Sequence, residues 1–275
     1  MIDNNRRKLL ISALLTPLAT SIPFATAQAS HSHSHEMPDM GREMNSVKWM
    51  GDEKIALLVY PGMTVLDLVG PHGMFGSLMG AELYIVAKTL DPVTSDAGLV
   101  IVPDTTFDTC PKDLTVLFAP GGTEGTLAAA TDPDTLAFIA DRGARADYIT
   151  SVCSGSLILG AAGLLEGYQA TSHWSCLDAL SGFGATPVNE RVVRDRNRIT
   201  GAGVTAGLDF GLTMVAELRG QIYAECTQLM SEYAPQPPFN AGTLATAPEG
   251  VKDAMIDLAA GFTQDAEALA RRYAS

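Results

Sequence analysis

The sequence predicts an α/β domain with a doubly wound, mostly parallel sheet and helices on both faces of that sheet. Apolar runs of strand length end at turn residues or at small polar residues, and helical patterns separate them. Strands that are apolar at every position are typical of parallel sheets buried on both faces. Alternation of such strands with helices indicates the doubly wound architecture.

The predicted elements begin near residue 54 and follow one another along the chain. Strands are predicted at residues 55–60, 83–87, 114–119 and 148–152. Helices are predicted at residues 127–145, 154–165 and 206–232, with an amphipathic helix at 249–273. Residues 93–107, with Asp96-Ala97-Gly98 at their centre, predict a hairpin inserted into this alternation.

The composition divides the chain into segments around this domain. Residues 1–29 have the pattern of an export signal, with Arg6-Arg7 before an apolar stretch and small residues at its end. The arginine pair is typical of a twin-arginine signal; a Sec signal that carries two arginines is the alternative. We therefore expect an exported, periplasmic protein.

Residues 30–50, rich in His and Met, predict a flexible N-terminus, and residues 51–242 predict the folded domain. Residues 243–275 predict a helical extension packed on the domain or on a second subunit.

The charge of the chain argues against two classes of partner. The formal net charge is -13, and no basic stripe is visible. Nucleic acid and anionic membrane surfaces are therefore not expected as partners. No apolar run after residue 29 approaches the roughly 20 residues needed to cross a bilayer, so we expect no membrane contact of the mature form.

The sequence predicts neither a metal site nor a cofactor. The four cysteines lack C-x-x-C spacing, which excludes the usual zinc and redox dithiol patterns but leaves a disulfide open. The alternating histidines at 31–35 could hold a transition metal weakly, although a flexible tract is poorly preorganised for this. No glycine-rich phosphate-binding motif is present.

Chemically suggestive residues follow three of the predicted strands, and the carboxyl ends of parallel strands meet at one edge of a sheet. Cys153 lies between a strand and a helix among small residues that permit a tight turn. Helix N-terminal amides favour a thiolate there, which would make Cys153 a nucleophile near neutral pH. The alternative is a buried core cysteine that acts as a small hydrophobic residue.

Three further candidates accompany the thiol. Asp67 lies in an apolar stretch, so burial should raise its pKa and let it exchange protons, unless it only caps a helix. Gly121 and Gly122 follow a strand and could offer backbone amides to an oxyanion, unless they only make a turn. His173 is a strand-end candidate near the site, or a packed histidine.

Over residues 54–242 the sequence resembles the ThiJ/PfpI superfamily, whose fold is flavodoxin-like and related to class I glutamine amidotransferases. The matching segments contain the candidates above and several other motifs. They are Tyr60-Pro61-Gly62, Leu66–Pro71, Ala119–Gly122, Ser151–Ser156, Thr171–Trp174, Arg191–Asp195, Thr205–Asp209 and Glu232–Phe239.

Within this superfamily the sequence looks closest to the isonitrile hydratases, which are homodimers that add water to small R–N≡C substrates. The resemblance implies Cys153 as nucleophile and Asp67 as the residue that handles protons and orients water. Gly121, Gly122, Ser154 and His173 would bind substrate or an oxyanion, with Ser154 in a place where the family commonly has Thr.

Other activities of the superfamily remain as alternatives to the hydratase. Members that act on glyoxal-like aldehydes usually have Glu where Asp67 stands, and its proteases have His where Ser154 stands. A thiol-based ligand or oxidant sensor without catalysis is the remaining alternative.

Overall fold

A seven-stranded sheet forms the centre of the protein. The computed structural model describes Met44 and residues 46–274. The strands of the central sheet are β1 (Lys54–Leu58), β2 (Glu82–Ala87), β5 (Thr105–Thr106), β6 (Val116–Ala119), β7 (Tyr148–Val152), β10 (Val192–Asp195) and β11 (Arg198–Gly201). Two small sheets pair β3 (Val93–Thr94) with β4 (Val100–Ile101) and β8 (Gln169–Ala170) with β9 (Thr186–Pro187).

The central sheet has the order β10-β11-β7-β6-β1-β2-β5 and is parallel except for the β10–β11 hairpin at one edge. The chain adds β2 on one side of β1 and returns to add β6 on the other. This reversal creates a crevice between the carboxyl ends of β1 and β6, the usual place for a site in open α/β sheets. The predicted mostly parallel, flavodoxin-like sheet is confirmed.

Seven α-helices are described, and they form two groups whose members contact one another. The first group contains α1 (Val65–Phe75), α5 (Ala206–Arg219) and α6 (Gln221–Met230). The second contains α2 (Glu124–Ala129), α3 (Pro133–Gly143), α4 (Gly155–Ala161) and α7 (Glu249–Ala270). The prediction of helices on both faces of the sheet is confirmed.

Two helices that the sequence predicts as continuous are each broken in two. The predicted helix at 127–145 divides because Asp132 caps a new helix that begins at Pro133, where a proline is tolerated. The predicted helix at 206–232 divides at Gly220, whose φ of 88° a helix cannot contain. Helix α4 is also shorter than the predicted 154–165, since it ends at Ala161.

Four strands of the structure lie outside the predicted elements, and the predicted hairpin is shorter than expected. Strands β8 to β11 were not predicted, because they are short and polar residues interrupt their apolar pattern. The predicted hairpin at 93–107 is confirmed only for β3 and β4, while β5 pairs with β2 in the central sheet.

Both ends of the described region contact the rest of the domain. The buried Arg219 guanidinium donates to the Glu53 carboxylate and to the carbonyl groups of Lys48 and Trp49, which joins the start of the domain to the end of α5. The predicted C-terminal helix is α7, whose last turn is buried and packs on the 3₁₀ segments at 174–183. In the described part of the chain no helix is both long and apolar enough to span a membrane.

Candidate active site

Three loops at the carboxyl ends of β1, β6 and β7 meet at the crevice and bring Asp67, Gly121 and Cys153 together. A Cβ atom built on Gly121 would lie 2.8 Å from Asp67 Oδ2, 2.8 Å from Cys153 Cβ and 2.6 Å from the Ser154 amide nitrogen. Gly121 therefore lies against both reactive side chains, and only glycine fits at this position.

Cys153 occupies a sharp turn between β7 and α4. Its φ of 57° is a strained value for a residue with a side chain, which marks a turn that the surrounding structure enforces. Its amide is fixed by bonds to the carbonyl groups of Gly201 (3.0 Å) and Ala202 (2.8 Å). The thiol is buried, with 6% of the residue exposed. The turn predicted from the sequence is therefore present, and it presents the thiol to the crevice.

Asp67 is a completely buried carboxyl group, 0% exposed. Its Oδ2 accepts a hydrogen bond from the Gly121 amide at 3.0 Å, and its Oδ1 has no well-formed partner among the described residues. Burial raises the pKa of Asp67 to about 7, although hydrogen bonds from the Gly121 amide and the Cys153 thiol oppose this rise. Asp67 does not cap α1, because the cap position belongs to Thr64.

The surroundings of Cys153 oppose the thiolate that the sequence predicts near neutral pH. Burial, followed by the negative charge of Asp67, raises the pKa of the thiol well above its usual range. Hydrogen bonds from the backbone amides of Val204 and Ser154 favour the thiolate, but their influence is smaller than that of burial. Because the two groups act on each other, their titrations are coupled.

The structure corrects the expected role of the Gly121 and Gly122 amides as free oxyanion donors. The Gly121 amide donates to Asp67 Oδ2, and the Gly122 amide donates to the Ser154 hydroxyl at 3.0 Å. Both donors are occupied, so these glycines position other groups of the site. The amides of Ser154 and Val204 are the ones that act on the Cys153 sulfur.

Ser154 directly follows Cys153 in the sequence, whereas His173 lies in another segment, before the 3₁₀ turn at 174–176. The two side chains have different surroundings. The Ser154 hydroxyl is buried and bonds to the carbonyl group of Gly122 at 2.5 Å and to Thr126 at 3.1 Å, so it belongs to the framework of the site. His173 caps a 3₁₀ turn through Ser175, and its ring lies against Gly203. Burial lowers the pKa of His173. Among the described residues, no hydrogen bond joins His173 to Cys153 or Asp67.

Sequence reasoning missed three residues of this site. Tyr60 donates to the loop that carries Gly121, Thr126 bonds to the hydroxyl groups of Tyr60 and Ser154, and Val204 supplies an amide to the thiol. Tyr60 ends a predicted strand beside a matching motif, a signal that could have identified it. Thr126 and Val204 have no comparable signal, because tertiary contacts alone bring them to the site.

The described residues form neither a cluster that could hold a metal ion nor a disulfide. In the described part of the chain no cluster of three or more His, Cys, Asp or Glu residues could hold a metal ion. All four cysteines are free, and three of them are buried. The histidine tract at 31–35 and the proposed export signal lie outside the described residues.

A cavity of about 440 Å³ lies beside the site, between the ends of β1 and β2 and the starts of α2 and α3. Its walls include the ring of Tyr60 together with Val59, Val93 and Phe107. Of the described residues that line it, none is Cys153 or Asp67. The hydroxyl group of Tyr60 points from this cavity into the protein, where it bonds to Pro120 and Thr126.

Comparisons with known proteins agree with this geometry. The model of the DJ-1/PfpI family matches residues 53–217. The chain is 50% identical over 200 residues to the isonitrile hydratase of Pseudomonas putida, across 73% of this chain and 87% of that protein. A crystal structure of a ThiJ/PfpI family protein from Pseudomonas syringae, 78% identical, superposes with a TM-score of 0.83 over 86% of this chain and 98% of its own. An HTH-type transcriptional regulator of Pseudomonas aeruginosa is 32% identical over 177 residues, which are 47% of that regulator.

Proposed function

This chain belongs to the DJ-1/PfpI family, and from that premise we propose that it is a cysteine-dependent hydratase that adds water to an isonitrile to give an N-substituted formamide. The observation that carries the proposal is the buried pair of Cys153 and Asp67, which meet beside Gly121 at the crevice. The isonitrile hydratase that is 50% identical to this chain supports a hydratase and a small-molecule substrate.

The first step that we propose joins the thiol to the substrate. The Cys153 sulfur attacks the terminal carbon of R–N≡C, and the S–C bond forms as one C–N π bond breaks. The proton held between Cys153 and Asp67 moves to that carbon, which leaves the thioimidate S–CH=N–R and the Asp67 carboxylate. A raised thiol pKa suits this step, because the proton stays within the pair until the substrate takes it.

The second step that we propose adds water to the thioimidate. The Asp67 carboxylate accepts a proton from water as the oxygen bonds to carbon, and the nitrogen takes that proton. The S–C bond then breaks as the carbonyl group forms, and the hydroxyl proton returns to the pair. The sum is R–N≡C plus water to R–NH–CHO. The amides of Ser154 and Val204 stabilise the departing thiolate.

Turnover of cyclohexyl isocyanide to its formamide, followed by NMR, tests the proposal. We expect wild-type protein to form the product and Cys153→Ser to lose at least about 10³-fold in kcat/KM, since no nucleophile remains. Asp67→Asn should lose about 10²- to 10⁴-fold, the range for general acid–base groups. Cys226→Ser, which changes a half-buried cysteine outside the site, is the matched control and should keep full activity.

Two results would contradict this assignment. Formamide production that survives Cys153→Ser would remove the thiol from the mechanism. No formamide together with turnover of a glyoxal-like aldehyde would move the protein to the aldehyde-acting branch of the family.

A further inference from the structure

The loop Pro120–Gly122 is held by hydrogen bonds at every backbone polar group that it offers. The carbonyl group of Pro120 accepts from the Tyr60 hydroxyl at 2.7 Å, and that of Gly121 accepts from the Thr64 amide at 2.8 Å. The Ser154 hydroxyl bonds to both the carbonyl group and the amide of Gly122. The remaining amide, that of Gly121, donates to Asp67.

Thr126 lies between the two hydroxyl groups that hold this loop, and its one hydroxyl proton can be donated to either of them. Its Oγ1 lies 2.9 Å from the Tyr60 oxygen and 3.1 Å from the Ser154 oxygen. All three side chains are buried, with Thr126 at 0% exposure. Burial raises the pKa of Tyr60 well above its usual range, so the phenol keeps its proton and donates to Pro120 at any working pH. We call Tyr60, Thr126 and Ser154 the hydroxyl clamp.

We propose that Tyr60 and Thr126 are positioning residues for Asp67, because the hydroxyl clamp fixes the loop that aims the Gly121 amide at the carboxylate. Tyr60 donates to the Pro120 carbonyl group and Ser154 donates to the Gly122 carbonyl group, on either side of Gly121. The Gly121 amide therefore cannot turn while the clamp is intact. Neither Tyr60 nor Thr126 needs to touch the substrate for this effect. The inference deepens the proposed function, and it rests on the same Asp67–Cys153 pair.

The groups around Asp67 explain why this amide matters. The titratable groups that act on it are the Cys153 thiol, the Tyr60 phenol and the Asp96 carboxylate, none of which brings positive charge. Helix α5 packs on α1 through Gly207 and Gly211, which bring no charge. The Gly121 amide is thus the main group that stabilises the charged carboxylate, and a looser loop weakens that stabilisation.

The pH dependence of the Asp67 carboxyl signal, followed by ¹³C NMR of aspartate-labelled protein and assigned with Asp67→Asn, tests the inference without any isonitrile. For wild type we expect a first step near pH 7, where the pair loses its first proton, and a second at high pH. Tyr60→Phe and Thr126→Val should each move the first step upward by about one pH unit. Thr126→Ser keeps the hydroxyl group and should restore the wild-type midpoint.

Matched controls separate positioning from a general loss of stability. Thr150→Val removes another fully buried hydroxyl, one that donates to the Leu117 carbonyl group, and should lower the melting temperature without moving the midpoint. In an Asp67→Asn background the first step should be absent, and Thr126→Val should then change nothing further. Tyr60→Phe keeps the ring and carries the test alone if Thr126→Val does not fold.

The outcomes distinguish this inference from the proposed function. Unchanged midpoints in Tyr60→Phe and Thr126→Val, with only a lower melting temperature, overturn the positioning role. A wild-type profile without a step near pH 7 overturns the pairing of Asp67 with Cys153, and the positioning role with it. A shifted midpoint without formamide production supports the positioning role and rejects only the hydratase assignment.

Discussion

Asp67 and Cys153 owe their chemistry to burial more than to any nearby positive charge. Both side chains are almost fully shielded from water, which disfavours the charged form of each acid. The negative charge of Asp67 also opposes ionisation of Cys153, whereas a hydrogen bond from the Cys153 thiol favours ionisation of Asp67. A pair of this kind loses its protons in two separate steps, so at neutral pH one residue can hold a proton that the other has given up.

Burial of Asp67 predicts an unusual dependence of stability on pH. Because its folded-state pKa is about 7 and its unfolded value about 3.8, the folded state binds more protons between these pH values. The free energy of unfolding should therefore fall as pH rises from 4 to 7, by up to about 4 kcal/mol. Asp67→Asn removes this titration, so it should gain stability relative to wild type by a similar amount at pH 8.

Urea unfolding at pH 4, 6 and 8 measures this difference. Asp113→Asn is the matched control, because Asp113 is exposed and the Lys54 hydrogen bond lowers its pKa. That control should not change the slope between pH 4 and 8. Parallel curves for wild type and Asp67→Asn would show that Asp67 ionises normally.

Gly121 should tolerate no side chain at all. In Gly121→Ala the new methyl group would overlap Asp67, Cys153 and the Ser154 amide. We expect a loss of activity of about 10²-fold or more and a destabilisation of about 1–3 kcal/mol, measured by turnover and by urea unfolding. Gly261→Ala lies on the exposed face of α7 with nothing nearby, and should instead stabilise by about 0.5–1 kcal/mol. Full activity of Gly121→Ala would show that the crevice is wider than described.

Among the secondary-structure elements, short segments that change direction build the site. The turn at Cys153 requires a glycine directly after Ser154, since a Cβ on Gly155 would lie 2.3 Å from the Ala119 carbonyl oxygen. Thr126 lies in the first turn of α2, directly after the loop that follows β6, and this position places it in the hydroxyl clamp.

The cap at Asp132 should account for much of the stability of α3. Its carboxylate accepts from the Thr135 amide at 2.8 Å and forms an ion pair with the half-exposed Lys88. Asp132→Ala should lower the free energy of unfolding by about 1–2 kcal/mol, as for other caps. Asp132→Asn keeps an acceptor and should lose less, and Lys88→Ala should lose at most about 1 kcal/mol. Equal losses in Asp132→Ala and Asp132→Asn, measured by urea unfolding, would assign the effect to the ion pair.

For the molecule as a whole, the reversal of strand order between β1 and β6 sets the place of the crevice. Helix α7 packs on the 3₁₀ segments of the same chain, with Thr263 Oγ1 donating to the Ser175 carbonyl group at 2.8 Å. The extension at 243–275 is expected from the sequence to pack on the domain or on a second subunit, and this contact is with the domain. The homodimer that the resemblance implies stays a prediction.

Export through the twin-arginine route is the second prediction for the whole molecule. The change of Arg6-Arg7 to Lys-Lys keeps the positive charge that a Sec signal needs but removes the arginine pair. We expect the mature protein to disappear from the periplasmic fraction, measured by immunoblotting of cell fractions. Unchanged export would favour the Sec alternative. The folded domain begins well after these residues, so its stability provides a control that should not change.

The sequence by itself determined the fold class, the four main strands and the pairing of a strand-end cysteine with a carboxylate. Continuous apolar runs and turn residues are local signals, and the parallel topology places strand ends at one edge. It predicted the raised pKa of Asp67 correctly, because an acid in an apolar stretch becomes buried. It failed at the helix breaks and at β8 to β11, whose local patterns are weak.

Only the tertiary structure decided which backbone amides are available and what surrounds the thiol. The sequence assigned the Gly121 and Gly122 amides to an oxyanion, whereas Asp67 and Ser154 already occupy them. It expected a thiolate at Cys153, because a helix N-terminus is visible in a sequence while the surrounding apolar atoms and the Asp67 charge are not. Desolvation and hydrogen-bond competition depend on distances between distant segments, which the linear order of residues does not contain.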